Sequence, residues 1–207
     1  EAHMYGAFVG GGSANTAQLH WATVVGGSEN NANAKQAFVG GGWRNTANAL
    51  YAVVVGGREC SALGEGSAVV NGIQHEARAA YSFIGGGHTN TAGGFAAAVS
   101  GGQLNVANDT FTAVLGGYGN VASASGATVT GGTNNQATMP LSFVGGGSLQ
   151  RASAAYATVV GGVNNRATGE RSFVGGGDTN AATGLYSTIG GGNDNQAGPS
   201  SCVMGGE

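Results

Sequence analysis

Charged residues are scarce in this chain. Asp, Glu, Lys and Arg make up 8% of its 207 residues and leave a net charge of −3, so there is no electrostatic case for nucleic acid. Proline and cysteine occur twice each. Two cysteines say little about redox compartment. No apolar run approaches the ~18 residues of a membrane-spanning helix. No leader peptide is recognisable, and the first residue is Glu1. Glycine, by contrast, is plentiful, at 43 residues. It lacks the every-third spacing of collagen, and a hydrophobic content of 41% is too high for a disordered chain.

The glycines follow a period of 15 residues. From Ala7 onward each unit opens with a small residue, a variable one, Val or Ile, and a glycine run. It reads AFVGGG at 7–12, SFIGGG at 82–87 and STIGGG at 187–192. Thirteen units fill Ala7 to Ser201, and a fourteenth is expected to begin at Cys202, with no insertion or deletion. A fixed short period means a solenoid, in which each unit buries its apolar face against its neighbours. The expected fold is all-β: a single-chain parallel β-solenoid (β-roll) of about fourteen coils, continuous over 1–207. Glu1 to Gly6 already sit in register, so the chain reads as a fragment of a longer array. Cys60 and Cys202 lie between nine and ten coils apart. At ~4.8 Å per coil that is far beyond disulfide reach.

We number the coil 1 to 15 from Ala7. Columns 1 to 5 read as one strand, 6 and 7 as a turn, 8 to 11 as a second strand and 12 to 15 as a return loop. Column 6 is always Gly and column 11 always Ala. Apart from terminal Glu207, every Asp, Glu, Lys and Arg falls in columns 7, 8, 10 or 12 to 15. Phe in column 2 always accompanies Gly in column 4, as in Phe8 with Gly10 and Phe38 with Gly40, whereas Thr23 accompanies Val25. This volume coupling predicts that columns 2 and 4 share a narrow interior. Column 3 must then point outward as an apolar stripe that asks for a partner chain. The stripe comprises Val9, Val24, Val39, Val54, Val69, Ile84, Val99, Val114, Val129, Val144, Val159, Val174 and Ile189, with Met204 in the same column.

Column 9 is Asn in ten of thirteen coils: Asn15, Asn30, Asn45, Asn90, Asn105, Asn120, Asn135, Asn165, Asn180 and Asn195, with Cys60, His75 and Gln150 as exceptions. Two readings stand. Stacked inward amides can form a ladder, or Asn can take a left-handed turn position. The glycine columns likewise serve positive φ or a close approach between chains.

Phrases such as ATVVGGVNNRATG (157–169), SFVGGGDTNAATG (172–184) and STIGGGNDNQAG (187–198), repeated over essentially the whole chain, resemble the head repeats of trimeric autotransporter adhesins. The resemblance implies a left-handed β-roll, a homotrimer, an extracellular place at the cell surface and a role in attachment to host matrix, cells or glycans. The stalk, neck and membrane anchor of that family lie outside these repeats, so no direct membrane contact is expected of this segment. A structural segment of a phage or viral surface fibre is the alternative.

Catalytic and metal constellations are not expected, and neither is a cofactor. Glu59 and Glu76 are the nearest carboxylates on neighbouring coils, in columns 8 and 10, and read as solvated charges. Cys60 and His75 share column 9, but two ligands are too few for a typical metal site. The glycine runs lack the Gly-Lys-Ser/Thr of a phosphate loop. Ice binding fails because Thr in both columns 2 and 4 occurs once, at Thr128 and Thr130. Column 15 holds Trp21, Tyr51 and Tyr81, and Trp43 sits beside Arg44 at the first turn. These five residues are the candidate ligand contacts. The competing reading makes the aromatics lids over small residues.

Overall fold

The computed structural model describes residues 1–206. The chain divides into two compact units, Glu1–Leu104 and Asn105–Glu207. In the first, the strands Phe8–Val9, Thr23–Val24, Phe38–Val39, Val53–Val54, Ala68–Val69, Phe83–Ile84 and Ala98–Val99 form one parallel sheet. The strands Thr16–Ala17, Asn31–Ala32, Thr46–Ala47, Ser61–Ala62, Glu76–Ala77 and Thr91–Ala92 form a second. The second unit repeats the plan, from Ala113–Val114 to Cys202–Val203 in one sheet and from Val106–Ala107 to Gln196–Ala197 in the other. Partners such as Phe8 and Thr23, or Ala17 and Ala32, are one repeat apart. Column 7 adds a third ladder of single bridges, such as Ser28 to Trp43 and Trp43 to Arg58. The described residues contain no helix, and the fold is a parallel β-solenoid of 15-residue coils.

The strands are two residues long because the chain turns sharply several times per coil. Each coil places left-handed residues at columns 6, 8 and 15. Column 6 is Gly, as at Gly27 (φ 87°) and Gly42 (φ 93°). Columns 8 and 15 are mostly not Gly, yet residues as bulky as Arg44, Leu149, Trp21 and Tyr51 hold φ between 54° and 61°. An L-residue there gives up about 1–2 kcal/mol, so the stacked ladders must hold the chain in that shape.

The interior consists of columns 1, 3, 9 and 11. Val24, Val39, Val54, Val69, Val99 and Ile84 are completely buried within the single chain, as are Ala22, Asn30 and Ala32. This reverses the expected orientation. In the second unit Val114, Val129, Val144, Val159, Val174 and Ile189 are equally buried, while Val9 is half-covered. Column 3 is therefore the coil's own core and cannot be the contact stripe between chains. Columns 2 and 4 point outward: Val25 is 49% and Val55 51% exposed. The Phe–Gly coupling is real but belongs to the outer surface. A Cβ on Gly10 would sit 3.2 Å from Cε1 of Phe8, and one on Gly40 3.4 Å from Cε1 of Phe38, so each Phe ring lies across the glycine two residues on.

The register also slips once. Thr188 pairs with Cys202 and Ile189 with Val203, one residue short of a full repeat. Ser201, not Cys202, opens the last coil. Its Oγ donates to the Gly198 carbonyl at 2.7 Å, as Ser187 Oγ does to Gly184. Ser200 takes the column 15 conformation (φ 52°), and its N–H reaches the Leu185 carbonyl at 2.8 Å. The missing residue is that of column 12, which lies in neither sheet. Met204 consequently moves to the outward column 4 and is 82% exposed.

Candidate contact surface

The inward asparagines set the scaffold on which every surface group is carried. Asn30 Oδ1 accepts the Asn45 N–H, and Asn30 Nδ2 donates to the carbonyls of Gly26 (3.0 Å) and of Gly42 on the next coil (2.9 Å). The same triplet recurs at Asn45, Asn120, Asn135 and Asn165. This is a ladder between coils, but it runs from amide to backbone. Of the two readings left open, no left-handed Asn is found in column 9. Column 6 glycine answers both needs at once. It has positive φ, and a Cβ on Gly27 would stand 2.6 Å from Asn30 Nδ2 and 2.3 Å from the Gly42 carbonyl. The close approach is between coils of one chain.

The three exceptions in column 9 fill the slot unevenly. His75 Nδ1 accepts the Asn90 N–H at 3.1 Å in place of an amide oxygen, which makes Nε2 the protonated nitrogen. That Nε2 is buried without a hydrogen bond of good geometry. Burial holds the His75 pKa below its usual value, so the ring is neutral. Cys60 is buried too, and burial pushes its thiol pKa up, away from the reactive thiolate. Gln150 keeps the acceptor role toward the Asn165 N–H at 2.9 Å, but its Nε2 is left unpaired. Gly146 of the same coil has φ 146°.

Two outward surfaces remain. One is the sheet face of columns 2 and 4, where Val25, Val55, Phe83, Leu115, Val160 and Phe173 are exposed. No charged residue occurs in those columns. The other is the row of corners. Trp21, Tyr51 and Tyr81, all in column 15 of the first unit, are 52%, 52% and 56% exposed. Trp21 leans back over Gly6, where a Cβ would be 2.5 Å from its Cε3, and Tyr81 covers Gly66 in the same way at 3.0 Å. Tyr5 meets Trp21 edge to face at 5.3 Å, and Phe95 meets Tyr81 at 5.6 Å. The rings are thus lids on one side and open to solvent on the other. In the second unit Arg171 stands between Tyr156 and Tyr186, its guanidinium 5.2 and 5.6 Å from the ring centres.

Trp43 and Arg44 are brought together, but into a closed cluster. Arg44 Nε donates to Glu29 Oε2 at 2.7 Å, Trp43 Nε1 donates to Glu29 Oε1 at 3.2 Å, and the guanidinium lies 4.3 Å from the centre of the Trp43 ring. The hydrogen bond from Arg44, then that from Trp43, draws the Glu29 carboxyl pKa below its usual range. Glu59 accepts from Gln74 Nε2 at 2.9 Å, and Glu76 pairs with Arg78, so these two carboxylates are engaged with separate partners. Among the described residues no three His, Cys, Asp or Glu side chains are grouped to hold a metal ion. No protein-family model matches the sequence, and no curated protein matches it.

Proposed function

We propose that this chain is the ligand-presenting head of an extracellular surface adhesin of the trimeric autotransporter type, assembled as a homotrimer. The observation that carries the reading is the outer face of columns 2 and 4. It is uncharged and largely apolar, with Thr23, Thr128, Thr158 and Thr188 set among the Phe and Val residues, and it is open or half-open to solvent on a scaffold whose core is already complete in one chain. Such a face needs a cover, and identical chains side by side supply it with matched spacing at every coil. Assembly leaves the polar columns 7, 8, 10 and 12 to 15 at the surface, where weak contacts repeated along three chains add by avidity.

The test has two arms. Light scattering of the purified chain reads the oligomer, and Val55→Asp on the outer face should break it. Attachment of the purified oligomer to a panel of matrix proteins, cells and glycans reads the function. A stable oligomer that binds nothing on the panel would favour a structural fibre of a phage or virus instead. A monomer would remove the trimeric head altogether.

A further inference from the structure

We infer that Trp21, Tyr51 and Tyr81 form a stacking ladder for an extended β-1,4-linked glycan. The inference deepens the attachment reading and rests on it. The three rings share column 15 and recur every second coil. Coils stacked as hydrogen-bonded strands put them about 9.5 Å apart, close to the disaccharide length of an extended β-1,4 chain. Alternate sugars of such a chain turn the same face to one side. One ring per two coils therefore meets the same apolar C–H face each time.

The presentation is uniform because the backbone dictates it. Trp21, Tyr51 and Tyr81 hold φ of 61°, 58° and 57°. Each side chain therefore leaves the corner in the same direction. The ring of Trp21 is seated on Gly6 and that of Tyr81 on Gly66, and roughly half of every ring stays open. The intervening corners are Gln36 and Gly66, too small or too polar to fill the gap between rings, and exposed Lys35 and Glu65 flank the row as partners for sugar hydroxyls. A left-handed corner is most comfortable as Gly, as Gly66 and Gly126 show in the same column. The left-handed corner is shared by Gln36, Ala96 and Leu141 in the same column, so what sets the three positions apart is the aromatic ring at a two-coil interval and not the backbone.

The test follows from the same conformation. Gly is native to this column, so Trp21→Gly, Tyr51→Gly and Tyr81→Gly relieve the backbone and should leave the melting temperature unchanged or raised. Calorimetric titration of the intact chain would use cellohexaose, chitohexaose, cellobiose and the curled α-1,4-linked maltohexaose. The expected result is a β-1,4 hexaose bound at least tenfold more tightly than cellobiose and maltohexaose. Each single variant should weaken it about tenfold, and the triple variant should abolish it. No binding of either β-1,4 hexaose, equal binding of maltohexaose, or wild-type affinity in the triple variant would overturn the ladder. Attachment to matrix proteins or cells by a chain that ignores these glycans would overturn the ladder alone and leave the attachment reading standing. A chain that attaches to nothing would overturn both.

Discussion

The carboxamide oxygen of Asn30 accepts the backbone N–H of Asn45 at 2.9 Å, one coil further along. The same side chain closes two glycine carbonyls through its nitrogen. One buried residue thus bonds three backbone groups, of which the Gly42 carbonyl also accepts the Ser28 N–H. Asn30→Ala orphans the Asn45 N–H and the Gly26 carbonyl, and each orphan costs about 1–3 kcal/mol. We expect the variant to lose about 2 kcal/mol or more in urea unfolding. Gly27→Ala should be comparably damaging, because its Cβ would occupy the space of the amide.

Gln150 suggests the opposite experiment. Its extra methylene leaves Nε2 buried and unpaired. Gln150→Asn restores the side chain that the neighbouring coils use, whose Nδ2 donates to two glycine carbonyls as Asn135 does. A gain of about 1–2 kcal/mol is expected, read as a higher melting temperature. No gain would show that the unpaired Nε2 of Gln150 carries no cost in the folded chain.

Inside and outside can be separated by charge. Val39→Asp places a carboxylate in a core that is completely closed in one chain. It should unfold the coil, at a cost of several kcal/mol, whatever the oligomeric state. Val55→Asp lies on the outer face, so its circular dichroism and monomer melting should be close to wild type, with any loss confined to assembly. Equal damage from both would contradict the orientation of columns 3 and 4.

His75 gives the core a pH dependence of definite sign. Its folded pKa lies below 6.5 because burial disfavours the imidazolium. The unfolded chain therefore binds the proton more readily. Stability from this site is complete above about pH 6.5 and declines as the pH falls below it. Melting temperatures between about pH 7 and 5 should fall more steeply for the native chain than for His75→Asn. Parallel curves would show that the ring does not titrate against folding.

The period, the parallel stacking and the inward asparagines were all legible in the sequence. Which strand face is the interior was not, because charge is missing from both faces of columns 1 to 5. The informative signal was variability. Column 2 ranges over Phe8, Thr23, Val53 and Ala68, which a packed interior would not tolerate. Columns 1 and 3 stay within narrow size classes and share a face with each other. The left-handed corners were hidden for another reason. Residues such as Arg44, Leu149 and Tyr51 carry no preference for that conformation, and the ladders on either side impose it. The slip near Ser201 was missed because Cys202, Val203 and Met204 fit the repeat equally well one place along.

The shortened coil around Gly198, Pro199 and Ser200 separates what the repeat must keep from what it can trade. The sheet of columns 2 and 3 continues past it without a missed partner, Thr188 to Cys202 and Ile189 to Val203, so the hydrogen-bonded columns fix the rise of the turn and the return segment merely closes it. Mutation can delete or add residues there while leaving the ladders untouched. Duplication of whole coils can lengthen the array, since every coil offers the same donors and acceptors to its neighbour. The length of the return segment and the number of coils can therefore change independently of each other, and the return segment is the place to graft a foreign peptide.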